Sequence, residues 1–460
     1  MSPRQVVRVV LVGLGTSVVP LDTAVNIAFP EITGSFGLPV EMIQWVVICY
    51  VLTYASLMLA FGRVGDIWSH GRVFRVGLLW SAAAYLLCAA APNYGWLLFC
   101  RFLQGIGASL IVSCAPALVT GLFPEDRRSR AVGMFTLIYA IGSAAGPVLG
   151  GVLVQVCGWP AVFWFRAPLA LIALLFLEGV PAASRSAARE PVDIVGGVLL
   201  ALGISTFLLM LNRLQHLEGQ ELLPLALLCI ATASLVGFVC WESRVAQPII
   251  DPDLFRNGSF ALLNFASVLI YLTTFSVLLF GPYYLVRFAG LSVAVAGGVL
   301  GASFVGSLVA SPLAGWVVER VRPGRVAALG ASLCAAGLML IGGWKPDAAG
   351  QTIVILATLV LQGFGVGLFQ VAYMDIVMRT LPRHQRGVAG SIAMLSRSVG
   401  VVTGATLLTL VFHTIEATRL RVGDLPAASF LTGYKTTFWL AGIVAGLAGL
   451  LVLFATRRGR

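Results

Sequence analysis

Charge is scarce in this 460-residue chain: Asp, Glu, Lys and Arg together make up 11%, against about 25% in typical soluble domains. With 59% hydrophobic residues and a mean hydropathy of +0.95, that scarcity excludes a water-soluble globule and implies a polytopic membrane protein. The four histidines, His70, His216, His384 and His413, lack metal-ligand spacing. A Gly-rich phosphate loop ending in Lys-Ser/Thr is missing as well, which argues against ATP-driven pumping. No catalytic set is visible, so the chain reads as a non-enzyme without cofactors. The eight cysteines lie in or beside apolar runs and read as small buried hydrophobes, with no disulfide or metal site implied. Acid is scarcer than base, 19 residues against 30. The excess of +11 falls in short clusters between apolar runs, where membrane orientation accounts for it and nucleic acid is not an expected partner.

What the chain does have is a series of apolar segments. Fourteen candidate helices start near residues 6, 41, 73, 96, 130, 160, 193, 222, 260, 293, 325, 352, 387 and 435, each long enough to cross the hydrocarbon core. No cleavable signal is read ahead of the first span. Placing the N-terminus in the cytoplasm puts 21 Lys/Arg on that side and six outside; Arg101, Arg166 and Arg397 fall within spans. The asymmetry predicts an even helix number and two cytoplasmic termini.

An internal repeat lies beneath this topology. Leu103-Gln104-Gly105-Ile106-Gly107 returns 258 positions later as Leu361-Gln362-Gly363-Phe364-Gly365, and Pro124, Gly142 and Gly146 match Pro382, Gly400 and Gly404 at the same offset. The loop after the second helix, with Gly62, Asp66 and Arg72, is echoed 253 positions later by Gly315, Glu319 and Arg325. The expected fold is an all-α membrane protein of two six-helix bundles plus two inserted helices. Its parts are residues 1–181, a linker with the inserted helices over 182–256, and residues 257–460. Transporters built from repeats bind their cargo near the midplane.

Asp22 is the residue that most needs an explanation, because it sits inside an otherwise uncharged run of roughly 22 residues, enough to span a bilayer. A carboxylate at that depth is costly unless it meets a cation, faces a wet cavity or takes up a proton. Arg101 is its candidate partner, about 6 to 10 Å below the outer end of the fourth helix at 1.5 Å per residue. The pair is either an element of proton coupling or a static tie between helices. Gln104, one turn beyond Arg101, adds a polar wall. Arg166, six residues into the sixth helix, either snorkels to the outer headgroups or faces a cavity. Arg397 is placed near the midplane, and Asp375 with Arg379 reads as an interfacial i, i+4 pair. Further candidate lining residues are Asn26, Trp45, Tyr50, Asn264, Tyr271, Tyr283, Gln362, Gln370 and Tyr373. Gly142, Gly146 and Gly150, with Pro147 and Gly151 beside them, form a smooth stripe suited to close helix packing.

The segments Gly62-Arg63-Val64-Gly65-Asp66, Arg101 to Gly107, and Gly133 with Gly142, Gly146-Pro147 and Gly150-Gly151 resemble the motifs of the major facilitator superfamily's drug/proton antiporters. With Leu21 to Pro30 and fourteen helices, the chain is similar to the fourteen-helix drug-exporter branch over nearly its whole length. The resemblance implies that the glycine stripe governs packing and limits proton leak, that Arg101 takes part in proton transfer, and that Asp66 belongs to a cytoplasmic gate. This chain departs from the pattern in three places. Asp22 and Asn26 are spaced i, i+4 where relatives have one more residue, Ile67, Ser69, His70 and Gly71 replace a mostly basic stretch, and Arg166 stands where a neutral Asn is usual.

The sequence therefore predicts a monomeric, proton-coupled exporter of small amphiphilic compounds in the bacterial plasma membrane, with the lipid bilayer as its other partner. Alternatives are a dedicated exporter of one lipid or anionic metabolite, and a non-transporting sensor or scaffold. In the first reading Asp22→Asn abolishes proton coupling and leaves folding intact.

Overall fold

In hydrocarbon every backbone N–H and C=O must be satisfied within the segment, so long apolar runs have the helix as their outlet. The computed structural model describes residues 3–121, 128–176, 193–213, 222–245, 253–345, 352–380 and 386–458, and every regular element among them is helical. Twelve of the described helical stretches are long and apolar enough to cross a membrane, and two shorter apolar stretches, Ala161–Phe176 and Val195–Phe207, lie between the fifth and sixth of them. The chain is a multi-pass membrane protein.

By packing, the chain divides into two units. One comprises Met1–Ala201 with Val293–Gly297, the other Leu202–Ser292 with Gly298–Arg460. The first unit holds α1 (Pro3–Ser17), α2 (Ala24–Ile27), α3 (Phe29–Ser35), α4 (Gln44–Trp68), α5 (His70–Ala89), α6 (Tyr94–Gly121), α7 (Arg128–Cys157), α8 (Ala161–Trp164) and α9 (Arg166–Phe176). After α10 (Ile194–Arg213), the second holds α11 (Leu222–Glu242), α12 (Asp253–Arg256), α13 (Gly258–Tyr283), most of α14 (Val293–Val318), α15 (Pro323–Ile341), α16 (Thr352–Thr380), α17 (Arg386–Val422) and α18 (Pro426–Arg458).

The repeat read in the sequence recurs as repeated backbone contact. A methyl group on Gly105 of α6 would stand 2.7 Å from Tyr50 O of α4, and one on Gly363 of α16 would stand 1.7 Å from Ser303 O of α14. Gly77 on α5 fits against Leu110 and Ile111, as Gly330 on α15 fits against Leu368 and Phe369. These pairs are related by the offsets 253 and 258, so each unit reproduces the same helix approaches. Close approach of this kind is what small residues supply where helices meet in lipid.

Two expectations change. The segment after the second predicted span is not a loop: α4 runs to Trp68 and α5 begins at His70, leaving Ser69 alone between them at φ +102°. The first span, Val10–Ile27, is also not a regular α-helix throughout: its helix breaks at Val18 and Val19. Pro124 and Pro382, and the linker residues 182–192, lie outside the described residues.

Candidate functional site

The break in helix 1 follows from Pro20, which has no N–H to give Thr16 O. Val19 N takes that carbonyl instead at 3.1 Å, and the chain tightens into a 3₁₀ turn over Pro20–Thr23. Asp22 N then bonds Val19 O at 3.0 Å, so Val18 O loses its helical donor and accepts from the Tyr85 hydroxyl at 3.2 Å. Asp22 rides on this turn.

A second proline fixes the other side of the turn. Pro147 cannot donate to Ser143 O within α7, and the Thr23 hydroxyl, shared with Pro20 O, reaches that freed carbonyl at 3.0 Å. Gly146 makes room: a methyl group there would lie 1.9 Å from Thr23 Oγ1. Gly142 lies against Ser17 and Pro20, and Gly150 against Ala24. Gly151 meets the backbone of Val293 and Ala294, which group with the same unit. The glycine stripe thus seats the broken part of helix 1.

Asp22 is held from two sides. Arg101 on α6 gives Nη1 to Asp22 Oδ1 at 2.7 Å and Nη2 to Oδ2 at 2.8 Å, the two-pronged geometry in which a guanidinium matches a carboxylate. Arg166 on α9 gives Nη1 to the same Oδ1 at 2.7 Å, and Gln104 Nε2 adds a fourth bond at 2.8 Å. Arg101 also donates to Val46 O at 2.8 Å and to Gln104 Oε1 at 2.8 Å. Its guanidinium lies 4.3 Å from the Tyr50 ring centre, and that of Arg166 lies 4.4 Å from Tyr85, at cation–π distance.

The two arginine side chains are 1% and 0% exposed and the Asp22 side chain 14%, so the acid is the least buried member of the cluster. The expected Asp22–Arg101 pair is present. Arg166 does not snorkel: it is the second cation on the same carboxylate. The sequence signal was its depth, since Arg166 lies about as far into its helical segment as Arg101 does into its own, but depth does not give direction. Asn26 is buried on α2, and the helical backbone runs on without interruption from the turn that carries Asp22.

The second unit carries neutral counterparts. Leu359 and Ser303 occupy the repeat positions of Arg101 and Tyr50, and Gln362, the counterpart of Gln104, accepts from Ser303 Oγ at 2.6 Å. Asn264 Oδ1 accepts from Tyr373 at 2.8 Å and Ser396 at 3.2 Å. Arg397 is half-buried with its guanidinium 5.4 Å from the Tyr271 ring, and Tyr283 is buried. Trp45 is half-buried and Gln370 exposed, so neither joins these networks among the described contacts. Asp375 and Arg379 form the expected i, i+4 pair at 2.7 Å.

At the α4–α5 turn, Gly62 packs near Ser113 and Arg72 is exposed; the Asp66 side chain lies outside the described residues. Among the described residues no group of three His, Cys, Asp or Glu could hold a metal.

The Major Facilitator Superfamily model matches residues 10–405 and 263–460. The puromycin resistance protein pur8 of Streptomyces alboniger is 30% identical over 99% of this chain and 90% of its own. The riboflavin transporter RibZ of Clostridioides difficile strain 630 is 26% identical over 98% and 97%. In structure, a bacterial homolog of the human lysosomal transporter Spinster, crystallised inward-facing and unoccupied, superposes with a TM-score of 0.73 at 14% identity, over 99% of this chain and 98% of that one. On the extent of these matches, the chain belongs to the Major Facilitator Superfamily and is a transport protein.

Proposed function

We propose that this chain is a proton-coupled exporter of amphiphilic organic compounds, working by alternating access with Asp22 as the group that takes and releases the proton. The observation that carries the reading is the buried Asp22–Arg101 pair on a broken helix. A carboxylate tied to guanidinium groups at membrane depth changes its ties when protonated, because a carboxylic acid loses the charge that the arginines meet. Resistance and export proteins among the relatives, pur8 and the tetracenomycin C resistance and export protein of Streptomyces glaucescens, support the export direction.

In this reading the two shorter apolar stretches complete fourteen membrane crossings, arranged as two six-helix bundles with two inserted helices. Both termini lie in the cytoplasm of a bacterial inner membrane, and the protein acts as a monomer. A dedicated exporter of one anionic compound is the second reading, favoured by the extra cation Arg166 in the cluster. Competition among unrelated dyes separates the two, a narrow profile pointing to the dedicated carrier.

The test is substrate-driven release of a pH gradient in proteoliposomes. Wild type is expected to discharge it, and an Asp22→Asn/Arg166→Asn variant verified as folded is expected not to. Undiminished proton flux in that variant rejects Asp22 as the coupling acid.

A further inference from the structure

A buried guanidinium ordinarily engages its N–H groups, because each one left without an acceptor forfeits the hydration it gave up. Arg166 commits two of its three nitrogens, Nε to Val162 O at 3.1 Å and Nη1 to Asp22 Oδ1 at 2.7 Å. Its Nη2 is buried and, among the described residues, meets no acceptor. The Tyr85 ring, 4.4 Å from the guanidinium carbon, attracts the cation without accepting an in-plane hydrogen bond.

Neighbouring groups are already used. Gln104 gives its oxygen to Arg101 and its nitrogen to Asp22, and the Tyr85 hydroxyl donates to Val18 O. Charge is unbalanced in the same place. Among the described residues Asp22 is the one carboxylate within ion-pair distance of either arginine, so two cations and one anion leave an excess of one positive charge at membrane depth. Buried charge persists only when it is paired.

We propose that Arg166 Nη2 binds a monovalent anionic group, a halide or the carboxylate of an organic solute, which brings the cluster to neutrality. A dianion such as sulfate overshoots the single excess charge. With Nη1 already on Asp22, one nitrogen remains, which suits a halide or one carboxylate oxygen. The carboxylate source rests on the transport reading above; the halide source does not.

The experiment uses the full chain purified in detergent, titrated at constant ionic strength with sodium bromide, with sodium 4-bromobenzoate, and with neutral 4-bromobenzamide, with binding read calorimetrically. Saturable bromide binding that weakens at least tenfold in Arg166→Gln assigns a halide. Saturation by 4-bromobenzoate, not by bromide or the amide, with the same loss in Arg166→Gln, assigns a carboxylate. Saturation by neither anion, or equal binding in wild type and variant, overturns the proposal and leaves water as the partner of Nη2.

If Arg166→Gln does not fold, the bromine anomalous signal in wild-type crystals soaked with each anion decides. A peak at hydrogen-bond distance from Nη2 supports the site, and no such peak with either anion overturns it. Both readouts are equilibrium binding, so failure of proton coupling in Asp22 variants leaves this result standing, and the converse holds.

Discussion

Arg166 Nη1 and Asp22 Oδ1 stand 2.7 Å apart across 144 positions of sequence, on an oxygen that Arg101 Nη1 also reaches at 2.7 Å. One carboxylate therefore separates two buried guanidinium groups, and removing it sets like charges against each other.

Asp22→Asn is accordingly expected to destabilise the protein, which reverses the expectation from sequence that folding would be untouched. Breaking a buried ion pair by deleting one partner costs about 3–5 kcal/mol. Arg166→Asn added to Asp22→Asn is expected to restore part of that loss. Thermal unfolding in detergent checks both; a single variant with wild-type stability contradicts the shared-carboxylate geometry.

Arg101→Lys is expected to lower substrate-driven proton flux at least tenfold, the equivalent of about 1.4 kcal/mol. An ammonium cannot reproduce the paired bonds to Asp22 together with those to Val46 O and Gln104. Flux in proteoliposomes within twofold of wild type would show that the fork geometry is dispensable.

Thr23 and Pro147 are expected to be energetically coupled. Thr23→Val forfeits a hydrogen bond worth about 0.5–1.5 kcal/mol, and Pro147→Ala restores an N–H that competes for Ser143 O. The double variant should then cost less than the sum of the singles, by about 0.5 kcal/mol or more. Strict additivity in unfolding measurements would mean that the Thr23 hydroxyl and Pro147 act separately.

Gly146→Ala is expected to lose about 1–3 kcal/mol through overpacking against Thr23. Gly298 on α14 has nothing within 4 Å of an added methyl group, so Gly298→Ala is expected to be neutral or to gain up to about 1 kcal/mol from helix propensity. Equal shifts in the two melting curves would contradict the packing described for α7.

Much of this was legible in the sequence, for identifiable reasons. Hydropathy locates membrane helices because lipid leaves the backbone few choices, and a shared offset exposes duplication. Asp22 and Arg101 were paired by counting residues from opposite membrane faces. Arg166 was left between two readings because sequence gives the depth of a side chain and not its direction around the helix axis. The break at Val18 was missed although Pro20 announced it, since an apolar run of uniform character hides the loss of one hydrogen bond. Ser69 was read as part of a charged loop because polarity alone does not separate a helix end from a turn.

The duplication also gives the molecule an internal control. Gly105 and Gly363 make the same backbone approach, yet Arg101 and Tyr50 on one side answer to Leu359 and Ser303 on the other. The same scaffold thus accepts an arginine and a tyrosine in one half and a leucine and a serine in the other, so the close helix contact does not require the cation.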